Sequence, residues 1–148
     1  MSSYADTSFV VALYIPDNNT AAAVAELSAS ASRPIVTAFT IFEFTNAVAA
    51  RRFRGDISLE EMKRVLAGFR EDISSGAYEQ KGLPDEVWMH AAALSELHTP
   101  RLGARALDVL HVASATTLGA TIFYTFDDRQ GRLARPAGLT VRPRQTKH

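Results

Sequence analysis

Short apolar runs alternate along this chain with longer stretches whose apolar residues recur every three or four positions, the mark of strands alternating with amphipathic helices. Tyr4-Ala-Asp6 reads as the end of a short strand, and Thr7-Ser8 as the cap of a helix carrying Phe9-Val-Val-Ala-Leu-Tyr14. Pro16-Asp-Asn-Asn19 breaks the chain. Thr20 to Ala31 is Ala-rich with Val24 and Leu27 at helical spacing, Pro34-Ile-Val36 predicts a buried strand, and Thr37 caps a long helix that Gly55 ends near Arg54. Ser58-Leu-Glu-Glu61 is a capping box, opening a helix with Met62, Val65, Leu66, Phe69 and Ile73 on one face. A strand is expected over Ala77 to Leu83. Pro84-Asp-Glu86 starts a helix with Val87, Trp88, Ala91 and Leu94 inward, and Thr99-Pro-Arg-Leu-Gly103 reads as a loop before a helix from Ala106 to about Leu118. Thr121-Ile-Phe-Tyr-Thr-Phe126 is the clearest strand, followed by a short helix from Asp128 and a last strand near Leu139-Thr-Val141. Strands and helices alternating at this spacing imply an α/β fold with a parallel sheet covered on both faces.

At 148 residues and 47% hydrophobic, the chain has the size and apolar content for one domain over residues 1–148, with an ordered core over about 3–142 and a short basic tail over 143–148. No repeat or low-complexity linker divides it. Sixteen Lys and Arg balance sixteen Asp and Glu, so no global charge announces a nucleic acid or a membrane, but from Arg101 onward eight basic residues face three acids. The absence of cysteine excludes a disulfide scaffold, a thiol nucleophile and a thiolate metal site. No apolar stretch reaches the roughly 18 residues of a spanning helix, and no basic region precedes an apolar run and cleavage site, so a cytoplasmic protein is expected.

Four acids stand out by their setting. Asp6 and Asp127 each close a predicted strand, and in an open parallel sheet ligands bind beyond the carboxyl ends of the strands. Glu43 interrupts the oily Thr37-Ala-Phe-Thr-Ile-Phe-Glu-Phe-Thr-Asn-Ala-Val, and Asp108 is the one acid of Arg105-Ala-Leu-Asp-Val-Leu-His111-Val-Ala-Ser-Ala. Taken singly each has an ordinary explanation, as a cap, a turn, a first-turn helix acid or the partner of an arginine. Together they would repel one another unless a divalent cation neutralised them, and oxygen donors without His or Cys point to magnesium or manganese.

Tyr4-Ala-Asp-Thr-Ser8, Glu43 with Asn46 and Arg51, the Arg105 to His111 stretch, and Tyr124-Thr-Phe-Asp127, in this order across the chain, resemble the PIN-domain nucleases, especially the VapC-type toxins. The resemblance implies a three-layer α/β/α domain in which Asp6, Glu43, Asp108 and Asp127 gather around Mg²⁺ or Mn²⁺ to cleave RNA. It matches Thr7 or Ser8 and Thr125 to small hydroxyl residues beside the first and last acids, and Asn46 to a polar companion of the helix Glu. Asp127-Asp128 offers two acids where the pattern needs one; Asp127 is taken because it directly follows Thr125-Phe126. It further implies a homodimer and a VapB-type antitoxin partner. Phe39, Phe42, Phe53 and Phe69 offer apolar surface for association.

Carboxylate-held divalent ions would activate water for in-line attack, leaving 5′-phosphate and 3′-hydroxyl ends. Arg101, Arg105, Arg129 and Arg132 are the candidates for guiding the RNA backbone. His111 lacks the second His or Cys of a nitrogen-ligated metal site and reads as a structural hydrogen bonder, while Trp88 and Tyr124 read as core. Two other rim-acid chemistries fit poorly. A receiver-type phosphorylation domain would need a Lys after a late strand, and none lies between Lys81 and Lys147; a haloacid-dehalogenase-like phosphatase would want an Asp where Ser8 stands. A noncatalytic PIN-like module that binds RNA or protein remains the alternative reading.

Overall fold

One five-stranded sheet organises the chain, every neighbouring pair parallel, in the order β3-β2-β1-β4-β5. The structure is a computed structural model and describes residues 1–144; most of the tail read over 143–148 lies outside the described residues. The strands are β1 (Ser3–Ala5), β2 (Pro34–Val36), β3 (Glu79–Gln80), β4 (Ile122–Tyr124) and β5 (Thr140–Arg142). The helices are α1 (Thr7–Tyr14), α2 (Thr20–Ala29), α3 (Ala38–Phe53), α4 (Leu59–Ser74), α5 (Val87–Leu102), α6 (Ala106–Thr117) and α7 (Asp128–Ala134).

Because side chains alternate across a strand, successive residues feed different layers. Tyr4, Ile35 and Phe123 join the core built with α5, α6 and α7, while Ala5, Val36 and Tyr124 join the core built with α1, α3 and α4. Tyr4 stacks on Phe123 with centroids 5.6 Å apart, and Phe9 on Tyr124 at 4.7 Å, so aromatic pairs bind both layers to the central strands. The result is the expected three-layer α/β/α arrangement. The chain leaves β1 for β2 on one side and later places β4 on the other, so the connections diverge between β1 and β4, the switch point where such sheets open a crevice.

Five local readings need correction. Asp6, not Thr7 or Ser8, caps α1, its carboxylate accepting from the Phe9 N–H at 2.9 Å. The predicted strand over 77–83 shrinks to Glu79–Gln80, a sheet edge paired only with β2. The expected loop over Thr99–Gly103 is the last turn of α5, which carries Pro100 inside it and stops at Gly103, where φ reaches +64° and the left-handed conformation favours glycine. Trp88 is not core: the buried stripe of α5 is Val87, Leu94 and His98, and Trp88, one position off that stripe, is 59% exposed. Of the four phenylalanines read as surface for association, Phe42 and Phe53 are exposed, whereas Phe69 is buried and Phe39 packs against the core.

Candidate functional site

The carboxyl ends of β1 and β4 lie side by side, with Ala5 opposite Tyr124 and the Asp6 N–H donating to the Tyr124 carbonyl at 3.0 Å. Asp6 therefore leaves the sheet beside the segment that carries Thr125 and Asp127. The Thr125 hydroxyl donates to Asp6 Oδ2 at 2.5 Å and accepts the Asp127 N–H at 2.9 Å, tying the two strand ends together. Ser8 donates to Asp6 Oδ1 at 2.7 Å and accepts the Phe126 N–H at 3.0 Å. Both hydroxyl residues matched to the first acid thus have visible partners: Ser8 holds Asp6, and Thr7 donates to Glu43.

Asp6 is buried, and that burial pushes its carboxyl above the usual carboxylate range against the opposing pull of the His111 charge and of the bonds from Thr125, the Phe9 N–H and Ser8. Glu43, on α3, is half-buried. Desolvation pushes its carboxyl up, but the hydrogen bond and charge of His111, the Thr7 bond and the Arg105 charge together hold it below its ordinary value. On α6, Asp108 receives Arg105 Nε at 3.0 Å and the Gln130 amide at 3.3 Å. Asp127 caps α7 through the Arg129 N–H at 2.9 Å and lies 3.7 Å from an Arg105 guanidinium nitrogen. Asp128 falls in the first turn of α7 behind that cap.

A single guanidinium thus links the later acids. Arg105 bonds Asp108, reaches Asp127 and feels Glu43, and these carboxylates raise its own proton affinity, the bond with Asp108 most. Among the described residues no three His, Asp or Glu side chains already stand close enough together to hold a metal ion. The contacts instead fall in two groups: Thr125 joins the Asp6 carboxylate to the backbone of Asp127, and Arg105 joins the carboxylates of Asp108 and Asp127. Asn46, one turn beyond Glu43, is exposed and makes no hydrogen bond to either group among the described residues.

His111 does what a structural hydrogen bonder should, and the bond has a direction. Its Nε2 lies 2.7 Å from Glu43 Oε1 and its Nδ1 2.7 Å from the Tyr4 hydroxyl. An ionised Glu43 can only accept, so Nε2 carries a proton, and in the neutral ring Nδ1 accepts from Tyr4. Sequence reasoning missed Tyr4, whose hydroxyl is fully buried and whose own ionisation burial strongly opposes, and Gln130, buried against Asp108. A tyrosine two residues before the first acid was a usable signal, since alternation places it on the face opposite Ala5, towards α6; nothing in the sequence marks Gln130.

Of the proposed backbone guides, Arg101 sits exposed in the last turn of α5, and Arg105 is engaged by the acids. Arg129 and Arg132 line a groove of about 720 Å³ between α1, α3 and α7, which Thr7, Ser8 and Asp127 join to the site. Arg51 of α3 and Arg54, its C-cap, line it too, and Arg54 was not singled out from the sequence as a functional residue.

The PIN domain family matches residues 3–136. The fold is also similar to the crystal structure of VapC20 of Mycobacterium tuberculosis, a sarcin-ricin loop cleaving toxin: TM-score 0.69 at 17% identity, covering 88% of this chain and 94% of that one. No curated protein sequence matches. Matched from Ser3 to Pro136, with its acids on the rim of a parallel sheet at the switch point, the chain belongs to the PIN domain family.

Proposed function

We propose that this chain is a Mg²⁺- or Mn²⁺-dependent endoribonuclease, the cytoplasmic toxin of a VapBC-type pair, with Asp6, Glu43, Asp108 and Asp127 as its metal-holding acids. One observation supports the reading: the Arg105 guanidinium bonds Asp108, lies 3.7 Å from Asp127 and feels the charge of Glu43, beside the strand end that carries Asp6. VapC20, a toxin that cleaves RNA at the sarcin-ricin loop, supports it by its fold.

The donor set fits a hard divalent cation. It offers carboxylate oxygens only, because both ring nitrogens of His111 are engaged. The rim accommodates the positive charge of Arg105 between Asp108 and Asp127. Gln130 Oε1, on the amide that touches Asp108, is a buried acceptor without a partner among the described residues, a place for a water of a hydrated ion. When bound, the ion supplies a water of lowered pKa and neutralises charge at the departing oxygen.

The chain's own residues fix the carboxylates. Ser8, Thr125 and the Phe9 N–H aim Asp6; Thr7 and His111 aim Glu43; Gln130 and Arg105 aim Asp108. The reaction adds a water oxygen to phosphorus and releases the 3′ oxygen, which takes up a proton, so the products end in 5′-phosphate and 3′-hydroxyl. Exposed Phe42 and Phe53 support the proposed homodimer, and the acidic rim supports an antitoxin segment that brings an arginine to it.

The test is expression of the wild type beside Asp6→Asn, with end-mapping of cleaved RNA. Growth arrest and chelator-sensitive cleavage in the wild type alone is the expected result. Identical behaviour of the two proteins favours a noncatalytic binding module, and a 2′,3′-cyclic product that survives chelation refutes the metal-dependent route.

A further inference from the structure

The groove between α1, α3 and α7 has a composition that the acidic rim does not explain. Its α3 wall carries Ala47 and Ala50, whose small side chains leave the space open, followed by Arg51. Its opposite wall carries Arg129 and Arg132 of α7 beside Asp127 and Asp128, and Asp17 borders it between α1 and α2. None of these three arginines forms an ion pair with a carboxylate among the described residues, unlike Arg54, which pairs with Asp56 at 3.2 Å. Between the walls stands Phe126, half-buried, its ring stacked on Phe9 at 5.6 Å with planes only 10° apart. An aromatic ring backed by the core and bordering an open groove is a platform; unpaired guanidinium groups around it are phosphate donors.

We propose that this groove is a subsite for one unpaired nucleotide next to the cleaved phosphodiester, its base stacked on Phe126 and its phosphate held by Arg51, Arg129 and Arg132. The inference rests on the nuclease reading above and names the residues that would hold the nucleotide beside the cleaved bond. Phe126 precedes Asp127 directly, so a base on its ring places the next phosphate at the acids. A base can reach that ring only when splayed out of a helix, and bases stacked inside a duplex cannot. The stacking face distinguishes any base poorly, so the subsite selects for strand state more than for sequence.

The test uses the full chain carrying Asp6→Asn, so that binding is read without cleavage, and a fluorescent single-stranded oligoribonucleotide with a matched duplex and an abasic version. Phe126→Ala should weaken single-strand binding about tenfold, the usual scale of one base stacked on an aromatic. Phe126→Tyr should restore it. The abasic oligonucleotide should bind the parent protein about as weakly as the intact one binds Phe126→Ala, with no further loss when both changes are combined. Arg132→Gln should lower the slope of log affinity against log salt by about one. Duplex binding as tight as single-strand binding, or indifference to both Phe126→Ala and the missing base, would overturn the subsite. Because Phe126→Ala removes the stack on Phe9, the tyrosine variant and the abasic strand keep the test decisive if the alanine protein unfolds. Stacking on Phe126 with no RNA cleavage by the wild type in Mn²⁺ would refute the nuclease reading alone; cleavage with a KM indifferent to Phe126 would refute the subsite alone.

Discussion

Tyr4→Phe removes one oxygen atom and tests the chain of bonds behind Glu43. The Tyr4 ring keeps its stack on Phe123 and its place in a fully buried core position, so packing is almost unchanged. What is lost is the donor to His111 Nδ1 at 2.7 Å; the other contact of that hydroxyl, Thr40 Oγ1 at 3.5 Å, is too long to matter much. A buried acceptor left without its donor costs about 1–3 kcal/mol. For a domain of this size that is a fall in Tm of about 3–9 °C, measurable by calorimetry. The imidazole also loses the bond that holds its proton on Nε2, so Glu43 is less firmly aimed, and loosening the support of a metal ligand costs about 10–100-fold in metal affinity or activity. Nitrogen NMR of the wild type should report His111 protonated on Nε2, with Nδ1 bare. A Tm shift below about 1 °C together with unchanged activity would refute the reasoning, because it would mean that the Tyr4 hydroxyl and His111 are not bonded as the structure has them.

The raised carboxyl of Asp6 makes its charge a liability in the metal-free fold, so Asp6→Asn, which keeps an acceptor for the Phe9 N–H, should leave the metal-free protein at least as stable at neutral pH while abolishing cleavage. The sign sets a pH dependence: a carboxyl raised in the fold binds protons there first, so wild-type metal-free Tm should rise relative to Asp6→Asn as pH falls from neutrality through that raised value. The lowered Glu43 acts oppositely. Its contribution is present above the ordinary glutamate range and lost as pH falls through its depressed value, so Glu43→Gln should lessen the decline in stability at the acid end of a pH–Tm series. Trp88→Gln should change urea stability by less than about 0.5 kcal/mol because the ring is exposed, whereas Phe69→Ala should cost about 3–5 kcal/mol.

The layered fold was legible because the pattern that encodes it is local. Alternation in Tyr4-Ala5, Ile35-Val36 and Phe123-Tyr124 feeds two faces of a sheet, and the cap at Thr37 and the capping box at Ser58 stand where the sequence puts them. Element ends were less legible where tertiary contacts decide them. Pro100 looks like a breaker, yet Gly103 makes the stop; Trp88 looks like core, yet the buried stripe passes one residue away. In the site, Asp6 and Asp127 could be placed on one rim from topology alone, since both follow parallel strands. The partners of the acids could not, because Tyr4 to His111, Thr7 to Glu43 and Gln130 to Asp108 join residues far apart in the chain. The pairing of Arg105 with Asp108 was legible as an alternative to its role as a backbone guide, but its reach to Asp127 was not, since Asp127 lies 22 residues away.

Binding of Mn²⁺ followed by electron paramagnetic resonance tests most directly whether these carboxylates act as one centre. The wild type should take up Mn²⁺ with an affinity that falls at least about tenfold in Asp6→Asn and in Asp108→Asn, two residues 102 positions apart that share no hydrogen bond. Mn²⁺ bound equally well by the wild type and by both variants would contradict the account.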